Sequence, residues 1–152
     1  MKSHLIIGAI VWLVITFGAA AFGAQFMPDQ WYRELAKPSW TPPGWLFGPV
    51  WTMLYLMMAI AAWMVWSKAG ISSAVVLFLV QLGLNATWSW LFFGIHRPDL
   101  AFADILVLWV AILATIITFW KISPVAGILM LPYIAWVSFA SVLNGTIWLM
   151  NR

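Results

Sequence analysis

Charged residues are scarce and cysteine is absent in this chain of 152 residues. Only 7% of the residues are charged and 65% are hydrophobic, whereas a soluble domain carries about a quarter charged residues. This composition excludes a water-covered globule and predicts a protein embedded in lipid. The lack of cysteine also excludes disulfides, thiolate metal sites and thiol nucleophiles.

Clusters of functional polar residues are missing as well. The seven Lys and Arg residues are scattered singly, which argues against a nucleic-acid partner. His4 and His96 fall at opposite ends of different apolar stretches, without the further ligands that a metal site needs. No serine has a recognisable base, and no glycine-rich phosphate loop precedes a helix. We therefore predict no metal site and no required cofactor.

Five long apolar stretches are present, each sufficient for the roughly 20 helical residues that cross a bilayer. They cover about residues 5–26, 45–67, 70–94, 100–120 and 124–149. Backbone groups in lipid must be paired internally, and the strict alternation of strands is absent, so helices are expected. The length of the first stretch favours a retained helix over a cleaved signal peptide. The prediction is an all-α membrane protein, a single domain over 1–152 built as a five-transmembrane-helix bundle.

One connection is much longer than the others and spans residues 27–44. Asp29 can cap a short helix that runs to about Ala36, and Pro38 then ends it. The following Thr41-Pro42-Pro43-Gly44 favours stiff, extended chain. Two interpretations remain open: this loop acts as a lid over a pocket, or its aromatic residues anchor it at the membrane interface.

The third predicted helix carries two amides and two aromatic residues on one face. Gln81, Asn85, Trp88 and Phe92 follow at intervals of four, three and four residues. Amides facing lipid would lack partners, so this face is expected to point into the bundle. Asn85 then either bonds across helices or contacts a ligand.

Two further helices supply walls for the same interior. Trp51 and Tyr55 lie one turn apart on the second helix. On the fifth helix a shared face comprises Tyr133, Trp136, Ala140 and Asn144, with the small Ala140 leaving space beside Trp136. We therefore expect a pocket among helices one, two, three and five, below residues 27–44.

Two single residues lead to separate expectations. Asp104 is the sole carboxylate at membrane depth and is interpreted as a helix cap or a partner of Arg97, with a proton path as the alternative. Pro132 removes the hydrogen bond to the carbonyl of Ile128, which predicts a kink in the fifth helix.

Small residues at Ala19-x-x-x-Gly23 favour close packing inside the bundle.

Motifs in three separate regions resemble the translocator protein family, also called tryptophan-rich sensory proteins. The first is Trp31-Tyr32 followed by Lys37-Pro38-x-Trp40-x-Pro42-Pro43 and Trp51, and the second is Asn85-x-x-Trp88 with Phe92-Phe93-Gly94. The third is Leu131-Pro132-Tyr133-x-x-Trp136-x-x-Phe139-Ala140-x-x-Leu143-Asn144. The resemblance covers about Trp31 to Asn144, and only hydropathy supports helix one.

The resemblance implies a five-helix membrane receptor or sensor that binds protoporphyrin-like tetrapyrroles and other flat hydrophobic ligands, often as a homodimer. By motif position it implies the pocket residues Trp31, Tyr32, Trp40, Trp51, Asn85, Trp88 and Trp136. Transport of such a ligand and light-dependent porphyrin degradation through Trp51 and Trp136 are the alternatives. Gly145 stands where animal members carry the Tyr of a sterol-associated motif, which argues against sterol transport and for a bacterial protein.

The distribution of charged residues predicts which end of the bundle faces the cytosol, although the two ends differ by a single charge. Five spans would put Lys2, Lys68 and Lys121 on one side of the membrane, and Arg33, Lys37, Arg97 and Arg152 on the other. The positive-inside rule then favours a cytosolic first loop and C-terminus. The family resemblance implies the same orientation and, with the departure at Gly145, a bacterial inner membrane as the location.

Overall fold

The computed structural model describes residues 2–152 and consists of helices joined by short turns and one long loop. The helices are α1 (Lys2–Ala24), α2 (Gln30–Glu34), α3 (Gly44–Ala69), α4 (Ser73–Ser89), α5 (Pro98–Ile122), α6 (Pro124–Leu129) and α7 (Leu131–Asn151). A π-helical turn, Trp90–Gly94, continues α4. No strand occurs among these described residues. The predicted all-α class is confirmed.

Five segments are long and apolar enough to span a membrane, as predicted. They are α1, α3, α4 with its π turn, α5, and α6 together with α7. The third span begins at Ser73 rather than near residue 70, because Gly70 adopts a φ of 64° that ends α3. The chain is thus an integral, multi-pass membrane protein.

The helices form a closed ring in cross-section. Neighbours in space are α3 with α1, α1 with α4, α4 with α5, and α5 with both α6 and α7. The ring closes where α6 packs against α3. The long loop joins the C-terminal end of α1 to the N-terminal end of α3, so both helix ends and the loop share one face, here termed the lid end. The opposite face is termed the distal end.

The core at the distal end is packed with apolar side chains. Phe78 and Phe119 stack with ring centroids 6.0 Å apart, and Trp12 meets Phe78 edge-on at 5.8 Å. Met58 and Val65 are fully buried beside them. Because lipid is as apolar as these side chains, such close packing rather than exclusion of water holds the helices together.

The π turn that ends the third span places His96 in an unusual conformation. Ile95 N donates to Trp90 O at 2.9 Å and Arg97 N donates to Leu91 O at 2.8 Å, which closes the helix end around His96. His96 has a φ of 57°, a left-handed conformation that glycine usually supplies at this position. A residue with a Cβ costs roughly 1–2 kcal/mol there, so neighbouring contacts must stabilise it.

Two predictions about helix packing are confirmed. Helical structure is interrupted at Met130, between α6 and α7, just before the proline at 132 that predicts a kink. Gly23 faces Ser89 closely enough that an added Cβ would lie 3.2 Å from the serine Oγ. This small residue therefore serves packing of α1 on α4 inside the bundle.

The expected role of Asp104 as a cap or partner of Arg97 is wrong. Arg97 instead makes two hydrogen bonds to Asp99, of 3.0 Å from Nε and 2.8 Å from Nη2. Asp99 lies in the first turn of α5, where a carboxylate complements the helix dipole. Asp104 lies further along α5, and among the described residues its buried Oδ2 has no hydrogen-bond partner.

Candidate functional site

A cluster of aromatic rings in mutual contact, here termed the aromatic cleft, lies between α3 and α7 on the side of the bundle towards the lid end. α3 packs along α6 but is met by α7 chiefly through aromatic rings. Trp136 contacts Phe47 and Trp51 of α3 edge-on, with centroids 5.8 and 6.5 Å away. Trp51 also lies 5.6 Å from Tyr55 and 6.3 Å from Tyr133. The aromatic cleft comprises Phe47, Trp51, Tyr55, Tyr133, Trp136 and Phe139.

Buried amides and phenols form the floor of the aromatic cleft. Tyr55 Oη donates to Asn85 Oδ1 at 2.6 Å, and Asn85 Nδ2 donates to Tyr133 Oη at 2.7 Å. Tyr133 Oη donates in turn to Gln81 Oε1 at 2.8 Å. This chain of hydrogen bonds joins α3, α4 and α7, and all four side chains are less than a tenth exposed. The predicted inward face of α4 is confirmed.

The amide of Asn85 is already bonded on both sides. Its oxygen accepts from one tyrosine and its nitrogen donates to the other, so the cross-helix role proposed from sequence is present. A donor and an acceptor site remain on the amide, because its nitrogen has two hydrogens and its oxygen two lone pairs. Contact with a ligand would therefore have to use these remaining positions.

The indole of Trp136 is different because its N–H is free. Nε1 is buried, and none of the described residues accepts a hydrogen bond from it. A buried donor without a partner costs about 1–3 kcal/mol. A molecule that enters the aromatic cleft with an acceptor at this position would recover that energy. Ala140, one turn along α7, is half-buried, and its methyl side chain occupies little of the space beside Trp136.

A second group of aromatic residues fixes the short helix α2 to the bundle. Tyr32 contacts Phe92 and Phe93 edge-on, with centroids 6.0 and 5.3 Å away. Trp31 meets Phe92 at 5.8 Å. Trp88 stacks on Phe92 at 5.1 Å, and its Nε1 donates to Asn144 Oδ1 at 2.8 Å. We term Trp31, Tyr32, Trp88, Phe92 and Phe93 the seat of α2.

The N-terminus of α2 is capped by Asp29, as predicted. Asp29 Oδ1 accepts from Tyr32 N at 3.1 Å, and its Oδ2 lies 2.9 Å from His96 Nε2. The amide of Tyr32 and the side chain of His96 both lower the pKa of Asp29, so it is a carboxylate at neutral pH. Burial of the Tyr32 side chain against Phe92 and Phe93 raises the pKa of its phenol.

The C-terminal side of α2 has its own attachments. α2 ends at Glu34, two residues before the predicted Ala36, and Lys37 Nζ donates to the carbonyl of Tyr32 at 2.7 Å. The backbone of Ala36 is held by Asn151 at the end of α7, which accepts from Ala36 N at 3.0 Å and donates to Ala36 O at 2.8 Å. The loop is therefore bonded to the bundle at both ends of α2.

Beyond Ala36, the loop crosses to α3 with few attachments. Trp40 lies over Phe139 of the aromatic cleft at 5.8 Å and is 45% exposed. Thr41 bonds only to the nearby carbonyl of Pro38. Pro38, Thr41 and Pro42 are half-buried, and Trp40 makes the one aromatic ring contact found for residues 38–43, so we term these residues the strap over the cleft.

The structure separates the predicted site residues into two groups. Trp51, Tyr55, Asn85 and Trp136, with Ala140 one turn beyond, line the cleft, and Trp40 covers it. Trp31, Tyr32 and Trp88 belong to the seat of α2. Sequence reasoning did not single out Phe47, Phe139, His96 or Asn151. Phe47 stands one turn before Trp51, a spacing that could have found it.

A separate apolar groove of about 310 Å³ opens at the distal end, between α1, α3 and α4. His4 is the one ionisable side chain among the described residues that line it, and Trp66 packs there against Gly8. The groove faces the lipid-exposed side of α1 and contains none of the predicted site residues. Its chemistry is that of a bilayer-facing surface, so the aromatic cleft remains the candidate site.

Comparison with known families agrees with these motifs. Residues 6–149 match the sequence model of the TspO/MBR family, which includes helix α1 almost entirely. The motif-based resemblance had reached only from Trp31 to Asn144, so the match extends it to nearly the whole chain.

Individual relatives come from all three domains of life. A tryptophan-rich protein TspO of Chlorobaculum tepidum is 43% identical, covering 99% of this chain and 98% of that protein. A second protein of that name, from Archaeoglobus fulgidus, is 40% identical over 97% of this chain and 96% of its own. The human translocator protein is 40% identical, with 86% of this chain and 82% of the relative covered.

Proposed function

This chain belongs to the TspO/MBR family, and from that premise we propose that it is a membrane receptor or sensor for protoporphyrin-like tetrapyrroles and other flat hydrophobic molecules. The observation that carries the proposal is the aromatic cleft, with its unpartnered Trp136 N–H and its strap. Flat apolar ligands favour aromatic walls, and a few placed polar groups orient them.

Entry of such a ligand requires the aromatic cleft to open. Its rings are in mutual contact, with centroids about 5.6–6.5 Å apart, which leaves no slot for a macrocycle between Trp51 and Trp136. The strap and the rings beneath it must therefore move, and the weak attachment of Trp40 favours entry from the lid end. Binding would then replace contacts between protein rings by contacts with the ligand.

Titration of the purified protein with protoporphyrin in detergent tests the proposal. Thirteen tryptophans supply the signal, and saturable quenching is expected. Trp136→Phe should weaken binding, while the matched control Trp120→Phe, on the lipid-exposed surface of α5, should not. Linear quenching without saturation, or equal affinities for the two variants, would contradict a site in the aromatic cleft.

Transport is the second candidate, and Asp104 is the observation that favours it. A carboxylate at membrane depth without a partner is costly and commonly serves an ion or proton path. If ligand movement is linked to protons, Asp104→Asn should abolish porphyrin uptake into proteoliposomes driven by a pH gradient while preserving equilibrium binding. Uptake by Asp104→Asn at the wild-type rate would contradict a role of Asp104 in transport, and absence of uptake by wild type would contradict transport itself.

Light-dependent porphyrin oxidation is a third candidate, supported by the two indoles of the aromatic cleft. Trp51 and Trp136 lie 6.5 Å apart at an angle of 89°, and both would contact a bound macrocycle. Indole is more readily oxidised than a benzene ring. Loss of porphyrin under illumination, measured with and without oxygen, separates this enzyme activity from simple binding.

The orientation and assembly that we propose follow from charge and family. The lid end carries Arg33, Lys37, Arg97 and Arg152, against Lys2, Lys68 and Lys121 at the distal end, so the lid end and C-terminus are placed in the cytosol of a bacterium, in the inner membrane. A homodimer is the expected assembly. Protease protection in spheroplasts tests the orientation, and the mass of the detergent-solubilised particle by light scattering tests the dimer.

A further inference from the structure

Three side chains at the lid end form a clasp between the loop and the turn that joins α4 to α5. His96 Nε2 lies 2.9 Å from Asp29 Oδ2, and the imidazole stacks on the indole of Trp31 with centroids 4.2 Å apart and planes inclined by 9°. We term Asp29, Trp31 and His96 the clasp. The aromatic cleft does not include any of these residues.

The clasp fastens the start of α2. Asp29 uses one oxygen to cap Tyr32 N and the other to meet His96, so loss of the His96 contact loosens the same carboxylate that begins the helix. His96 in turn occupies a left-handed conformation that favours glycine. The contacts of the His96 ring with Asp29 and Trp31 offset the cost of this conformation.

Charges near the clasp are otherwise paired or turned to solvent. On the turn itself Arg97 is bonded to Asp99. On α2, Gln30 donates to Glu34, and Lys37 donates to backbone carbonyls. Among the described residues Asp29 is the titratable group within hydrogen-bond distance of His96. A change of charge on the imidazole would therefore mainly alter its interactions with the carboxylate of Asp29 and with the ring face of Trp31.

We propose that the clasp is a proton-operated latch, which holds the loop more tightly over the aromatic cleft when His96 is protonated. Since a carboxylate only accepts hydrogen bonds, Nε2 carries a hydrogen in either state, and the added proton binds Nδ1. The neutral hydrogen bond becomes an ion pair, and the cation lies over an indole face, which also attracts it. Imidazole is the side chain that gains or loses a proton nearest neutral pH, so the experiment below compares pH values on both sides of neutrality.

The second attachment of α2 provides an internal control. Asn151 holds the backbone of Ala36 through two hydrogen bonds, and an amide does not titrate. Both attachments connect α2 to the bundle, but only one of them contains a group that changes charge near neutral pH. Removing either attachment should loosen α2. Only removal of His96 should change how the amide protection of α2 depends on pH.

Amide hydrogen exchange of residues 30–36 in ligand-free nanodiscs tests the latch. Wild type, His96→Asn and Asn151→Ala are compared at each pH between about 5.5 and 8, so that the intrinsic pH dependence of exchange cancels. Asparagine tolerates the left-handed conformation and retains an amide donor, which keeps the turn folded without a titrating group. Thermal unfolding of each variant confirms that the bundle is intact.

If the latch operates, the ratio of α2 protection in wild type to α2 protection in His96→Asn should change with pH. Protection of α2 in wild type relative to His96→Asn should rise by about three- to fivefold from pH 8 to 5.5, the size typical of an exposed ion pair. Asn151→Ala should lower protection but keep the wild-type dependence on pH. A constant ratio of wild type to His96→Asn across this range would overturn the proposal.

The consequence for ligands rests on the proposed function and is tested separately. Protoporphyrin should dissociate more slowly from wild type than from His96→Asn at pH 5.5, and at similar rates at pH 8. If protection of α2 titrates while dissociation does not, the latch stands and the proposed path beneath the strap is wrong. If dissociation follows pH but protection does not, the latch itself is excluded.

Discussion

The two ends of the bundle are built by different means. At the distal end, Phe78 and Phe119 stack in a predominantly apolar core, and Gly8 admits the ring of Trp66. From mid-depth towards the lid end, buried amides and phenols bond across helices, and at the lid end the regular helix gives way to a π turn. Apolar packing predominates at the distal end, where Trp63 Nε1 also donates to Leu5 O at 2.9 Å, whereas the lid end has the unpartnered indole N–H of Trp136 and a strap with one aromatic ring contact.

We attribute stability mainly to the distal end and the proposed ligand binding to the lid end. In lipid, helices associate through close packing and through hydrogen bonds, because apolar side chains gain nothing by leaving the bilayer. The distal end uses the first means almost alone. The lid end relies on the second, which leaves polar atoms near a potential ligand. Changes at each end should therefore affect different measurements.

The largest effect is expected from Phe78→Ala at the distal end. Phe78 is fully buried, so we expect a loss of about 3–5 kcal/mol in the free energy of unfolding. Unfolding by SDS in mixed micelles, followed by circular dichroism, measures it. Leu79→Ala, at the neighbouring lipid-exposed position, is the matched control and should cost far less. Weakened porphyrin binding in the folded Phe78→Ala protein would break the division between the ends.

A smaller loss is expected at the floor of the aromatic cleft, from Asn85→Leu. This change leaves the hydroxyls of Tyr55 and Tyr133 short of a partner, which should cost about 1–3 kcal/mol of unfolding free energy. If Asn85 also contacts the ligand, porphyrin affinity should fall about tenfold, or roughly 1–2 kcal/mol. Tyr55→Phe removes one of the same hydrogen bonds and serves as control. An affinity of folded Asn85→Leu equal to that of wild type would leave Asn85 with the structural role alone.

Trp51→Phe and Trp136→Phe should have moderate effects on binding and a large effect on photochemistry. A benzene ring preserves an apolar face, so each should lose about 1 kcal/mol of binding free energy. Any light-dependent loss of porphyrin should be suppressed, because phenylalanine is harder to oxidise. Affinity and bleaching are measured on the same preparations at matched occupancy, with Trp120→Phe as control. Bleaching at the wild-type rate in both variants would make these residues walls of the cleft only.

The smallest effect on stability is expected from Trp40→Leu in the strap. Trp40 is 45% exposed and has one aromatic contact, with Phe139, so the unfolding free energy should change by less than about 0.5 kcal/mol. Porphyrin dissociation, measured by stopped-flow fluorescence, should nevertheless become severalfold faster. Unchanged dissociation would mean that the strap is an interfacial anchor, the other interpretation that the sequence left open.

Sequence reasoning succeeded where a residue's role depends on its own chain neighbours. The spans followed from hydropathy, the cap by Asp29 from its position before α2, and the break near Pro132 from its missing N–H. It failed for Asp104, since Asp99 stands closer to Arg97 in the turn and takes that partner. It also passed over His96, which looked like an isolated residue because Asp29 is far away along the chain.

Composition and period by themselves determined that this chain is a bundle of five membrane-spanning helices, because lipid admits few other backbone arrangements and each helix needs only local hydrogen bonds. The inward faces followed too, since amides avoid lipid. Only the tertiary structure decided which aromatic residues line the cleft and which seat α2. It also joined Asp29 to His96, and Ala36 to Asn151, across long stretches of chain. Such pairings depend on how the helices pack around one another, and that order is not encoded in the period of any single helix.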